Sequence, residues 1–297
     1  MATENRLSLP KNGLLLIGMG PGEISSMTIA AKEAAASADY RRYEAYTALW
    51  PDNELTNLEN EIGKIDRIMR PEVETPTELF ELSRTNLVAL LIVGDPLQAT
   101  THVDLQLQAL EAGINCMVFH GISITTLVTG AVGLSNYKFG RQTTITYPYS
   151  GWIATSPLEI IATNLYNNQH TLALLDLDPT GAGTGQQIPM QPKDAFHSIN
   201  LMKEKLGSAI SDLPEESIDD KVKKTALTKF INLKFDEIKV VLCADMGTKA
   251  EKITYTTIAK LEEITGGGLN SLISLQLRVK LKRRPYFVGV REGKRYV

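Results

Sequence analysis

The run LVALLIVGDP, Leu87 to Pro96, is the feature that most limits how this chain can fold. Seven apolar residues without alternation read as a strand buried on both faces, and Gly94-Asp95-Pro96 ends it with a turn signal. A strand of this kind belongs to a sheet covered by helices on both sides. Its surroundings agree. Residues 14–17 form a second apolar run between Gly13 and Gly18, and 115–119 form a third strand. Helical stretches are expected over 26–38, rich in alanine, and over 102–112, closed by Gly113. Strands alternating with helices predict an α/β fold with a parallel sheet.

Beyond residue 130 the pattern changes. Strands are expected over 142–147, 172–177 and 240–243, with helices over 157–166, 194–205 and 219–230. Residues 178–192 are rich in Gly, Gln and Pro and read as a loop. With 297 residues, two domains are expected, 1–130 and 131–297, the second with an insert over 179–237. The last twenty residues carry eight basic side chains and one acid, Glu292, which suits a charged edge strand.

Composition removes several function classes. The longest apolar runs are too short to span a bilayer. The polar opening MATENRLSLPKN has no apolar signal core, so a cytoplasmic location is the expectation. A net charge of −3 argues against a general nucleic-acid binder. Cys116 and Cys243 form no C-x-x-C, and the four histidines show no ligand spacing, so no metal site is read.

The first glycine cluster, Gly18, Gly20 and Gly22, follows the first strand directly. A dinucleotide fold would place an acid near Asp39. The spacing is G-x-G-x-G, however, and Pro21 removes a main-chain donor, so the dinucleotide fingerprint is not met. Asp95 should project from the carboxyl edge of the sheet, with Thr100 and Thr101 close by. It then either meets a ligand donor or caps the following helix. A second strand-to-loop passage, 119–140, carries Ser123 and Thr125. Two such loops at adjacent strand ends would build a cleft.

IGMGPGE (17–23), EAYTALW (44–50), GDPLQATTH (94–102), HGISI (120–124), YKFG (137–140) and HTLALLDLD (170–178) occur in this order. With these the chain resembles the diphthine synthase family of the tetrapyrrole-methylase-like (class III methyltransferase) fold, well over 14–178 and thinly over 179–237. The resemblance implies a homodimer of two-domain α/β subunits, with S-adenosyl-L-methionine in a cleft between the domains and S-adenosyl-L-homocysteine as product. It implies methylation of the 3-amino-3-carboxypropyl-histidine of translation elongation factor 2 in diphthamide biosynthesis, with neither membrane nor nucleic acid as partner. Cofactor contacts then fall on Pro21, Asp95, Gln98, Ser123, Ile124, Leu175 and Met246. Asn270 stands where the family has a histidine, Pro21 where it usually has a leucine, and the family's P-G-K-x-H ending is absent. No nucleophile–base pair stands out, as expected of an in-line displacement that works by positioning. The alternatives are a sister methyltransferase acting on a tetrapyrrole or ribosomal RNA, and a non-catalytic cofactor-binding protein.

Overall fold

The computed structural model describes residues 7–181, 184 and 187–276. The chain forms two compact units that divide between Leu127 and Val128. The basic edge strand expected over 278–297 lies outside the described residues.

The first unit contains β1 (Gly13–Gly18), α1 (Ile29–Ser37), β2 (Tyr40–Glu44), α2 (Asp52–Ile62), β3 (Asp66–Ile68), α3 (Arg70–Glu74), α4 (Thr77–Thr85), β4 (Leu87–Ile92), α5 (His102–Glu111) and β5 (Cys116–Phe119). Its sheet is wholly parallel, in the order β3-β2-β4-β1-β5. β1 and β4 are buried at every residue, which is why both read as unbroken apolar runs. Leu15, Ile17, Tyr43, Ala89 and Leu91 face Ala31, Ala34 and Ala35 of α1 and Leu55, Leu58 and Ile62 of α2. Leu14, Leu16, Val88, Leu90 and Ile92 face the other way, onto Val73, Leu79, Leu105 and Ala109. α1 is shorter than the 26–38 expected, because the Thr28 hydroxyl accepts from Ala31 N at 3.1 Å and starts the helix there.

The chain passes to the second unit inside α6 (Ile124–Ala131). There follow β6 (Thr143–Ile145), α7 (Ser156–Tyr166), β7 (Thr171–Leu175), α8 (Pro192–Ala209), α9 (Ile218–Ile231), β8 (Lys239–Ala244), β9 (Lys252–Thr257) and β10 (Asn270–Ser274). This sheet runs β6-β7-β10-β8-β9 and is mixed, since only the β6–β7 pair is parallel. One face packs Ile145, Ala173, Leu175, Val240, Leu242 and Leu272 against α7, α8 and α9. The expected 179–237 insert thus supplies two core helices, with Ile199, Met202, Leu227 and Phe230 buried.

Candidate functional site

In the first unit the chain leaves β1 for β2 over the face of α1 and α2, and leaves β4 for β5 over the face of α5. β1 and β4 are neighbours, so the two connections part between them. In open α/β sheets a ligand crevice lies outside the carboxyl ends of such a strand pair. The loops bordering it are the two singled out in the sequence, Gly18–Ile24 and Gly94–Thr101.

These loops are bound to each other. Gly20 N donates to Gly94 O at 3.1 Å, and Gly94 N to Gly20 O at 2.9 Å, with positive φ at both glycines (+73° and +79°). The loop after β5 joins them. A Cβ on Gly18 would sit 2.4 Å from Gly121 N, and one on Gly121 would sit 2.2 Å from Gly94 O. Three loops mesh at four glycines, and a methyl group at Gly18 or Gly121 has no room. The cleft expected from adjacent strand ends therefore needs correction. β1 runs between β4 and β5, so these two strand ends are not adjacent as expected, yet their loops still meet over it at Gly94 and Gly121.

Asp95 locks the mesh. Its Oδ1 accepts from Leu97 N at 2.9 Å; its Oδ2 accepts from Gly121 N at 3.3 Å and pairs with His120 Nδ1 at 2.8 Å. The residue is 6% exposed. A carboxylate offers about four acceptor positions, so one is left for a ligand donor. His120 belongs to the HGISI motif, and its spacing from Asp95 in the sequence carries no signal that the two meet.

Pro21 is buried and Gln98 is exposed, next to Ala99 at φ +58°. Ser123 precedes α6; its hydroxyl accepts from Thr125 N at 3.2 Å, and its carbonyl accepts from Leu127 N at 3.0 Å. Ile124 opens that helix, so the segment read as a loop over 119–140 contains eight helical residues. Thr100 serves α5, accepting from His102 N at 2.8 Å. Asp39, the would-be ribose acid, accepts from Leu87 N at 2.8 Å.

In the second unit, Leu175 closes β7 and is buried. Asp176 beside it accepts from Tyr147 N, Leu177 N, Asp178 N and the Tyr149 hydroxyl. Met246 is buried two residues beyond β8. Asn270 spends its amide on main chain, accepting from Gly267 N at 2.8 Å and donating to Met190 O and Gly267 O at 3.1 Å. The glycine run 266–268 exists for this corner. A Cβ on Gly267 would lie 2.0 Å from Asp245 Oδ2, and one on Gly266 would lie 2.5 Å from Asn270 Oδ1.

Sequence reasoning missed one further group. Glu44, at the carboxyl end of β2, is fully buried and accepts from Thr47 N at 3.2 Å and Thr47 Oγ1 at 2.6 Å. Burial pushes its carboxyl up to about 7, against those hydrogen bonds and the nearby Arg70 guanidinium. Among the described residues no cluster of potential metal ligands occurs, and no helix is long and apolar enough to cross a membrane.

The sequence profile of the Tetrapyrrole (Corrin/Porphyrin) Methylases matches residues 13–262. The chain belongs to this family. Among curated relatives of this methylase, the diphthine synthase of Methanoregula boonei is 36% identical over 166 residues, 55% of this chain and 66% of that one. The diphthine synthase of Methanosphaerula palustris is 30% identical over 200 residues, 67% of this chain and 77% of that one. The matched stretch thus spans just under two thirds of the Methanoregula relative. A crystal structure of diphthine synthase superposes on the methylase with a TM-score of 0.69 at 24% identity, covering 89% of each chain, which shows a shared fold.

Proposed function

We propose that this methylase is an S-adenosyl-L-methionine-dependent methyltransferase that modifies the 3-amino-3-carboxypropyl-histidine of translation elongation factor 2. The observation that carries the reading is the glycine mesh locked by Asp95. It is built from the motifs IGMGPGE, GDPLQATTH and HGISI at the switch point of the parallel sheet. The two curated relatives described above, both diphthine synthases, support the choice of substrate.

The residues present fit such a cofactor. The open acceptor position of Asp95 suits an ammonium or hydroxyl donor. Pro21, Gln98, Ile124, Leu175, Met246 and Asn270 complete the proposed cofactor set. When bound, the cofactor supplies an electrophilic methyl group on a sulfonium. What the chain supplies is alignment. The interlocked loops cannot drift apart without breaking the Gly20–Gly94 pair, so ligands are held without reorganisation, and an in-line displacement gains from fixed geometry. A buried setting also lowers an amine pKa and helps to present its lone pair. The working form is proposed to be a cytoplasmic homodimer.

The test incubates the protein with labelled cofactor and elongation factor 2 carrying the unmethylated intermediate. Mass spectrometry then counts the methyls gained on the modified histidine. Three methyls indicate the trimethylated amine, and a fourth indicates the ester. No transfer, together with no calorimetric binding of S-adenosylhomocysteine, overturns the reading in favour of a scaffold role.

A further inference from the structure

One cation at the carboxyl edge of the first sheet, Arg70, is only partly satisfied by its neighbours. Arg70 follows β3 and opens α3, where Glu72 Oε2 accepts from Met69 N at 2.6 Å and fixes the turn. The guanidinium lies over the ring of Tyr46, with Cζ 5.3 Å from the centroid. Its Nε is buried without a hydrogen-bond partner, and so is the hydroxyl of Tyr46, which lies near the buried Glu44 carboxyl. The ion-pair carboxylate of Arg70 is Glu74, with 3.7 Å between Nη1 and Oε1, beyond hydrogen-bonding reach. The side chain remains 40% exposed. A buried orphan donor costs free energy unless something completes it, and a reachable guanidinium presents a fork that matches a carboxylate.

Resting on the proposed function, we propose that Arg70 and the Tyr46 hydroxyl form a carboxylate subsite, which recognises the free carboxylate of the 3-amino-3-carboxypropyl side chain.

The strand order supports the placement. β2 and β3, whose ends at Glu44 and Ile68 lie two residues before Tyr46 and Arg70, continue the sheet from β4, which is followed by Gly94 and Asp95. The subsite and the glycine mesh therefore share one edge of one unit. Tyr46 is positioned from below, since Glu44 holds Thr47 and so fixes the 44–47 turn. Arg70 is stacked and its Nε direction is set, so little side-chain freedom remains to be lost on binding.

The experiment compares wild type with Arg70→Lys and Arg70→Gln. Calorimetry uses two probes: an imidazole bearing the 3-amino-3-carboxypropyl group, and the same compound with its carboxylate converted to a primary amide. Wild type should prefer the carboxylate about 10- to 100-fold, the range of one charge-assisted hydrogen bond. Arg70→Gln should lose that preference and raise KM for elongation factor 2 by a similar factor, with S-adenosylhomocysteine affinity and melting temperature unchanged. Arg70→Lys should recover part of both. The carboxylate-to-amide ratio is internal to each protein, so a partly unfolded variant does not distort it. Equal or undetectable binding of both probes by wild type overturns the proposal, as does a wild-type preference retained in Arg70→Gln. Failure of wild type to methylate elongation factor 2 counts against the proposed function instead, since the probe ratio reads the subsite without methyl transfer.

Discussion

Asp95 shows how a residue with a ligand reading and a capping reading can have a third role. Its carboxylate accepts from Leu97 N, Gly121 N and His120, so it ties the β4 loop to the β5 loop. Asparagine caps a helix as well as aspartate does, yet it cannot replace this tether. Its amide NH₂ would face N–H donors on one side, leaving a buried donor unmet at a cost of about 1–3 kcal/mol. Asp95→Asn is therefore expected to lower the melting temperature by several degrees and to weaken S-adenosylhomocysteine binding at least tenfold. An unchanged melting temperature would mean that the tether adds no stability; affinity within a factor of two would remove Asp95 from the cofactor set. Glu44 yields a second prediction. Its carboxyl is raised from the ordinary value to about 7 by burial, so between pH 4.5 and 7 the folded state binds more protons than the unfolded one. The stability it contributes is fully present below the unfolded pKa and lost as pH rises through about 7, on the order of 3 kcal/mol in total. Glu44→Gln keeps Thr47 satisfied, since that hydroxyl can accept where it now donates. The variant should flatten this part of the stability profile, gaining on wild type at pH 8 and not at pH 4. Parallel urea melts at the two pH values check it, and equal gains at both would rule out titration of Glu44 as the cause.

Elements differ in how plainly the sequence announces them, for physical reasons. β1 and β4 are central and covered on both faces, so unbroken apolar runs revealed them to within a residue or two. β2, with sequence YRRYE, shows no such run because its residues range from exposed to buried along its length. β10 hides behind a glycine run whose purpose appears only when Asp245 and Asn270 fill the space over it. α6 escaped because its first turn, Ile-Thr-Thr, has weak helix formers, and the start is set by Ser123 rather than by propensity. At the candidate site the participating loops were legible from their glycines and Asp95. Their mutual contacts were not, since contact across 25 or more residues leaves no local pattern. The mesh itself is testable. Gly121→Ala puts a methyl 2.2 Å from Gly94 O and 2.9 Å from the Gly18 carbonyl carbon, so the loops must part. A fall of several degrees in melting temperature and loss of cofactor binding are expected. Gly130→Ala is the control: its Cβ would meet nothing within 4 Å, and it lies inside α6. Alanine there should stabilise by about 0.5–1 kcal/mol. Similar melting curves for the two variants would mean that crowding at Gly121 is not what distinguishes them.

At the scale of the whole molecule, the two edges of the first sheet are protected unequally. β3 is three residues long and carries Asp66 and Arg67, with Lys64 paired to Asp66 at 2.6 Å. Short, charged edges resist further pairing. β5 has the sequence Cys-Met-Val-Phe, is half-buried throughout and, among the described residues, pairs only with β1. An uncharged apolar edge of this kind needs a cover. The helix leading into it supplies an adjoining surface. α5 buries His102, Leu105 and Ala109, while Val103, Leu107 and Leu110 stand 48%, 53% and 71% exposed at the i, i+4, i+7 spacing of one helix face. Ile122, just beyond β5, is 45% exposed. Three side chains alone fall well short of the roughly 800 Å² per partner that stable interfaces bury, so the stripe and the β5 edge must be covered together. A second copy of the chain, presenting the same surfaces about a two-fold axis, would do this in one contact. Light scattering on a size-exclusion column should then give about twice the 32.7 kDa chain mass at micromolar concentration. Leu107→Glu combined with Leu110→Lys should give a folded monomer, since neither side chain supports the core. A wild-type monomer defeats the dimer outright, whereas a double variant that still runs as a dimer defeats this face and leaves α5 and β5 to some other partner.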